Sequence, residues 1–209
     1  AGTVTVTNAI KITGTISEVT AALVTPASSV VAAAAVVDIS GSATILQLNN
    51  VDAMTSGVIT ATVADTAANL AKLTGTGNKY TLTVSDATPT DATDLLTIDA
   101  ATTQINTATA VGTITGTAAN IAKVIASSGT GITLSGTVNA SITDTNVSAT
   151  DLKAIDLVVG GTVTASSVTA LTGSAADIGA VLIATTGTPT ITLNNKANIA
   201  VVIEGSSSS

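Results

Sequence analysis

Two hydrophobic rhythms alternate along this chain. In the first, aliphatic residues fall at every second position with threonine between them, as in Thr3-Val-Thr-Val-Thr7, Tyr80-Thr-Leu-Thr-Val84, Gly131-Ile-Thr-Leu134 and Thr190-Ile-Thr-Leu193. Gly112-Thr-Ile-Thr115 and Thr162-Val-Thr164 continue the series. A period of two puts alternate side chains on opposite faces, so these segments predict short strands with aliphatics inward and threonine outward. In the second rhythm a small polar residue leads, an acid or amide stands three positions on, and two aliphatics follow with a spacing of three. Thr66-Ala-Ala-Asn-Leu-Ala-Lys-Leu73, Thr117-Ala-Ala-Asn-Ile-Ala-Lys-Val124 and Ser174-Ala-Ala-Asp-Ile-Gly-Ala-Val181 carry it. Asp91-Ala-Thr-Asp-Leu-Leu-Thr-Ile98 and Ser148-Ala-Thr-Asp-Leu-Lys-Ala-Ile155 carry it too. Aliphatics at i and i+3 share one face of a helix. A hydroxyl three residues ahead of an acid or amide is placed to cap that helix, and Thr15 with Glu18 fits the reciprocal box strictly. Each copy therefore predicts one or two turns of capped helix, too short to stand alone.

The copies are periodic. Weaker ones start at Thr15 and Asn195, and a degenerate one reads Ser42-Ala-Thr-Ile-Leu-Gln-Leu48. Taking the first aliphatic as anchor gives Val19, Ile45, Leu70, Leu95, Ile121, Leu152, Ile178 and Ile199, spaced by 26, 25, 25, 26, 31, 26 and 21 residues. Copies also alternate in flavour. Those anchored at Val19, Leu70, Ile121 and Ile178 follow a Thr-Gly-Thr-like lead-in, whereas others end on Ile98-Asp99 or Ile155-Asp156. A period near 25 inside one near 51 predicts a mainly-β fold, a parallel β-solenoid of about eight ~25-residue coils with a short helical turn in each. Residues 1–204 form a single repeat domain on this reading, and 205–209 a flexible Ser-rich tail. The long interval predicts a protruding loop around Thr137 to Val147. The alternative fold is a tandem of β-sandwich repeats, which calls for domains of about 100 residues and a bulky core.

Composition sharpens this picture. Hydrophobic residues make up 45% of the chain, yet it holds no Phe, Trp, Cys or His and one Tyr, Tyr80. Without aromatic side chains to span a wide core, the interior must be narrow and filled by Ala, Val, Ile and Leu. Six lysines and no arginine, in a chain of net charge −7, cannot neutralise a phosphate lattice, which excludes nucleic acid as partner. High hydrophobicity with only 9% charged residues argues against disorder. No apolar run approaches the length of a membrane span, the nearest being Val30 to Val37. The first residues, Ala1-Gly2-Thr3, lack the basic and apolar regions of a signal peptide, so a leader is either removed or lies outside this segment.

Chemistry-bearing residues are sparse. Without His or Cys the usual nucleophilic triads cannot be assembled, so no catalytic residue is assigned and the chain is expected not to be an enzyme. Acids gather at Asp86, Asp91, Asp94 and Asp99, and again at Asp144, Asp151 and Asp156. A calcium site needs six to eight oxygens, and caps and turns already account for most of these positions. No cofactor is therefore expected, with calcium the one candidate, and no metal ligand is assigned. Asp99, Asp156 and Asn49 end their copies equivalently and are expected to satisfy corner backbone groups as ladders. Repeated Thr-X-Thr raises binding to ice, although the pattern drifts between strands and Tyr80 interrupts it. Asn139-Ala-Ser141 and Asn146-Val-Ser148 match the glycosylation sequon.

The segment Ala149-Thr-Asp-Leu-Lys-Ala-Ile-Asp156, followed by Gly161-Thr-Val-Thr-Ala-Ser-Ser-Val-Thr-Ala-Leu-Thr-Gly-Ser-Ala-Ala-Asp177, resembles Thr/Ala/Gly-rich repeats of giant secreted or cell-surface proteins of marine cyanobacteria. Tyr80-Thr-Leu-Thr-Val-Ser-Asp86 is similar to the strand between such repeats in related bacteria, and the resemblance covers residues 13–184. It implies an extracellular or cell-surface location and a structural or adhesive role. The glycine-rich calcium nonapeptide often found elsewhere in such proteins is absent from this sequence. The expected function is a non-catalytic structural module, a stalk, spacer or fibre subunit, meeting further repeats or identical chains end to end. The alternative is a binding module for ice, calcium or carbohydrate, with a surface or glycan ligand.

Overall fold

Helix formation here starts from hydroxyl caps. The side chains of Thr15, Thr44, Thr66, Thr117, Ser148 and Ser174 each accept the backbone N–H three residues on, closing the first turn. The helices they open are longer than the spacing of two aliphatics suggests, because apolar residues continue along the same face. Ile121, Val124 and Ile125 are all buried on one of them, and Leu152 with Ile155 on another. Ala-rich intervening positions add helix propensity. The computed structural model describes residues 4–6, 10–25, 30–87, 89–184, 191–194 and 196–204. In chain order its elements begin β1 (Val4–Thr5), β2 (Lys11–Thr15), α1 (Ile16–Leu23), β3 (Val30–Val31), β4 (Val36–Ser42), α2 (Ile45–Asp52), β5 (Ile59–Asp65), α3 (Ala67–Leu70) and β6 (Lys79–Val84). There follow β7 (Thr90–Asp91), α4 (Ala92–Ala101), β8 (Asn106–Ala108), β9 (Thr113–Gly116), α5 (Ala118–Ala126), β10 (Ile132–Leu134), β11 (Asn139–Ile142) and β12 (Asn146–Ser148). The last are α6 (Ala149–Val158), β13 (Val163–Ala165), β14 (Ala170–Gly173), α7 (Ala175–Ile183), β15 (Ile191–Leu193) and β16 (Ala200–Ile203), with a 3-10 turn at Lys196–Asn198.

The fold is α/β, and this corrects the expectation of a mainly-β solenoid with one helical turn per coil. Among the described residues seven α-helices alternate with parallel strands, and all but α3 run for eight to ten residues. The tandem β-sandwich is corrected as well. Sandwiches pair their strands antiparallel, whereas each strand pair with a described register is parallel. Parallel strands need a crossover between them, which the helices supply.

The chain divides into two compact units, residues 1–85 with 97–107 and residues 86–96 with 108–209. In the first, β2, β4, β5, β6 and β8 lie side by side in that order, and β1 pairs with β3. The inward ladder runs from Ile12 to Val37 to Ile59, and from Ala61 to Tyr80. Tyr80 is 1% exposed. The small Ala61 beside it on β5 leaves room for the ring, so this lone aromatic is core rather than a break in a threonine surface. Between β4 and β5 the register slips from Asp38↔Thr60 to Ser42↔Thr62, and Gly41 takes the left-handed φ of 78° at the slip.

The copy that follows the slip starts later than its motif suggests. The cap of α2 is Thr44, not Ser42, and its box closes reciprocally, with the Gln47 side chain accepting from the Thr44 N–H at 3.0 Å. Thr15 and Glu18 are thus not alone in making the full capping box. The buried anchor of this copy is Leu48, while Ile45 stays partly exposed.

In the second unit, β7, β9, β11, β13 and β15 form one parallel sheet and β12, β14 and β16 another. Helices α5, α6 and α7 pack side by side. Gly116 and Gly173 have φ of 145° and 142° and pass over the methyls of Ala92 and Ala149 respectively. The residues around 137–147 are not a protruding loop. They are β11 and β12, paired within the two sheets, and the added length lies before them, in the turn at 127–131 and β10. The proposed tail, 205–209, lies outside the described residues, as do Thr3, Thr7, Thr190 and Asn195 of the expected elements.

The caps give a direct test. Thr117→Ala and Ser174→Ala should each lower stability by about 1 kcal/mol in chemical denaturation, with the m-value unchanged. Equal stability of both variants with the parent would refute the capping account.

Candidate functional site

Several polar side chains of the first unit are committed to neighbouring strands and turns. Asn49 donates to the Lys72 carbonyl at 2.8 Å and accepts from the Thr74 N–H at 3.1 Å, the ladder role expected of it. Asn78 accepts from the buried Ile59 N–H at 2.8 Å and donates to Asp52 Oδ1 at 3.0 Å. Thr55 donates to the Ala35 carbonyl at 2.6 Å and accepts from the Gly57 N–H at 3.0 Å. Thr102 repeats the clasp, donating to the Tyr80 carbonyl at 2.7 Å and accepting from Gln104 N–H at 3.1 Å. A hollow of about 310 Å³ opens beside Asp52, Thr55, Gly75 and Asn78, and these bonds form part of its wall. Such clasps were not read from the sequence, since their acceptors lie about twenty residues away.

The acids do not assemble into one centre. Asp86, Asp91 and Asp94 belong to the second unit and Asp99 to the first. Asp91 accepts from the Thr93 N–H at 2.7 Å, and Asp144 from the Ala118 N–H at 2.8 Å at the start of α5. Asp151 stands in the first turn of α6, where a negative charge complements the helix dipole. Among the described residues no three acidic side chains converge as a metal ion would require.

With Thr44 recognised as the cap of α2, the residue eight positions on is Asp52, so Asp52 rather than Asn49 is the counterpart of Asp99 and Asp156. The three do not share one role. Asp52 holds Asn78, whereas Asp156 Oδ1 is shielded from water without a hydrogen-bond partner, so Asp156 is not the corner ladder expected. Burial pushes the carboxyls of both Asp99 and Asp156 above their ordinary range. Asp156 also lines a cavity of about 180 Å³ with Lys153, Val181 and Ile191.

A pH series tests this burial. A raised folded-state value gives stability that is full below the unfolded carboxylate value of about 3.9 and is lost as pH rises through the folded one. Asp156→Asn should flatten that part of the stability profile, leaving the variant at least as stable as the parent at neutral pH. A profile of unchanged shape would contradict the burial of this carboxyl.

An extended polar array lies on the sheet of the second unit. Its register aligns Asp91, Thr115, Ser141, Thr164 and Thr192 across five strands, all facing away from the buried Thr90, Ile114, Ala140, Val163 and Ile191. Adjacent strands are about 4.8 Å apart, and positions two residues along a strand are about 6.7 Å apart. A second column begins with Thr113 and Asn139. Asn139 ties its neighbours together, donating to the Gly112 carbonyl at 3.1 Å and accepting from Thr162 N–H at 2.7 Å. Thr-X-Thr drifts along the sequence, but the parallel register collects it here into a hydroxyl ladder. No helix of the described residues is long and apolar enough to cross a membrane. No family model, no curated protein and no solved structure matches the chain.

Proposed function

We propose that this chain is a non-catalytic structural module, a stalk, spacer or fibre element of an extracellular surface protein. The observation that supports it is where the polar groups are engaged. Asn49, Thr55, Asn78, Thr102 and Asn139 each bond backbone groups of neighbouring strands or turns, so they reinforce the ladder. Side chains held this way resist parting of adjacent strands, the property a spacer needs. An antibody raised against the chain should label intact, unpermeabilised source cells, and protease added outside should remove that labelling. Labelling that appears only after permeabilisation would refute the reading.

A second reading is favoured by the hydroxyl ladder of Thr115, Ser141, Thr164 and Thr192. Hydroxyls repeating on a fixed lattice, with Asp91 the one charge in that row, can order water as ice does. The purified chain would then shape ice crystals and depress their growth temperature, and Thr164→Tyr would abolish the effect. Crystals of ordinary habit in its presence would dispose of this reading.

A further inference from the structure

Asn139-Ala-Ser141 and Asn146-Val-Ser148 both match the glycosylation sequon, and the fold treats them oppositely. Asn139 stands on β11, inside its sheet, with β9 on one side and β13 on the other. Its amide nitrogen, the atom that would carry a glycan, donates to the Gly112 carbonyl at 3.1 Å, and its amide oxygen accepts from the Thr162 N–H at 2.7 Å. The same amide lies so close against Gly161 that a side chain there would clash with it. A sugar ring on that nitrogen would pull the amide away from both neighbours. Asn146 opens β12 in the other sheet. Val147 beside it is buried, so strand alternation turns Asn146 outward. The residue is exposed, and no described group hydrogen-bonds its side chain.

The structure assigns Asn146 as the attachment site of an N-linked glycan on the exported chain, and Asn139 as an asparagine that carries none in the folded protein. The assignment goes beyond the structural reading above and shares with it only the export of the chain. The donor is an oligosaccharide on a lipid pyrophosphate. The Asn146 amide nitrogen forms a bond to the anomeric carbon of the first sugar, and the bond from that carbon to the phosphate oxygen breaks. The lipid pyrophosphate leaves with the electron pair, and one amide proton passes to solvent. The sequon also supplies a hydroxyl, yet in the folded chain the Ser148 hydroxyl accepts from the Asp151 N–H at 3.4 Å as the cap of α6. Transfer therefore precedes folding of this corner, and folding then decides which position tolerates the product. A bulky, hydrated glycan at Asn146 stays on the surface and leaves the core untouched.

Peptide mass spectrometry of chain purified from the source cells tests this. Cleavage at lysine leaves both asparagines in one peptide, residues 124–153. An amidase that releases N-linked glycans, used in heavy-oxygen water, converts each asparagine that bore one into labelled aspartate, and fragmentation of the peptide places the label. Label at Asn146 alone is the expected result. Label at Asn139, or at neither position, would overturn the assignment. Chain produced without glycan gives a second arm. Asn139→Gln should lower the urea midpoint, because the longer side chain cannot keep both bonds, while Asn146→Gln should match the parent. Equal midpoints for the two variants would show that the fold does not distinguish the sequons. Labelling of intact cells, which tests the structural reading, depends on neither arm.

Discussion

Tyr80→Ala should cost about 3–5 kcal/mol, the range for emptying an aromatic site in a packed core. The ring is the largest of the fully buried side chains, in a core otherwise built of Ala, Val, Ile and Leu. Its neighbour in register is Ala61, and Leu82 follows on the same face, so little bulk is available to collapse into the cavity. Burial also pushes the phenol well above its ordinary range, with the charge of Asp52 adding to the shift. Urea denaturation should show the loss as a lowered midpoint at unchanged m-value. Leu157→Ala provides the contrast, because Leu157 is exposed on α6 and its loss should fall within about 0.5 kcal/mol. A Tyr80→Ala cost below that of a cap substitution would mean that the ring does not fill the core as described.

Asn78→Ala should cost about 2–4 kcal/mol, since it leaves the buried Ile59 N–H without its acceptor and Asp52 without its donor. Asn78→Asp is the sharper variant. It keeps an acceptor for Ile59 but sets a second carboxylate against Asp52, so its stability should recover as the pH is lowered and one of the pair takes a proton. A variant whose deficit relative to the parent is the same at every pH would show that the two side chains do not face each other. Tyr80 and Asn78 lie close in the chain, so their effects should not add when combined.

How much of this was legible in the sequence follows from the range of each interaction. The caps span three residues, and Thr15, Thr66, Thr117, Ser148 and Ser174 were readable as leaders with their acid or amide partners in place. The motif ends at its second aliphatic and so understates helix length, since Ile125 lies just past Val124 on the buried face. That shortfall turned an α/β fold into a mainly-β expectation. The absence of Phe and Trp points to a thin interior between strands, whereas helices bearing Ile, Leu and Val cover the parallel sheets. The hydroxyl ladder was hidden for another reason. Thr115, Ser141 and Thr164 are 23 to 26 residues apart, and whether they align depends on a register that a single sequence does not print. Thr55 and Asn78 look like ordinary turn residues until their distant partners are known.

The slip between β4 and β5 bears on how this chain could be altered. Asp38↔Thr60 is an offset of 22 residues and Ser42↔Thr62 an offset of 20, so two residues are taken up inside a strand. On either side, Lys11↔Val36 and Thr60↔Lys79 remain in place, and Thr44 still opens α2. The space around Gly41 is open, with no atom within 4 Å of where a side chain would begin. This is therefore the natural splice point for grafting a peptide epitope or a labelling tag, where added length is displayed outward while the pairing on both sides carries on.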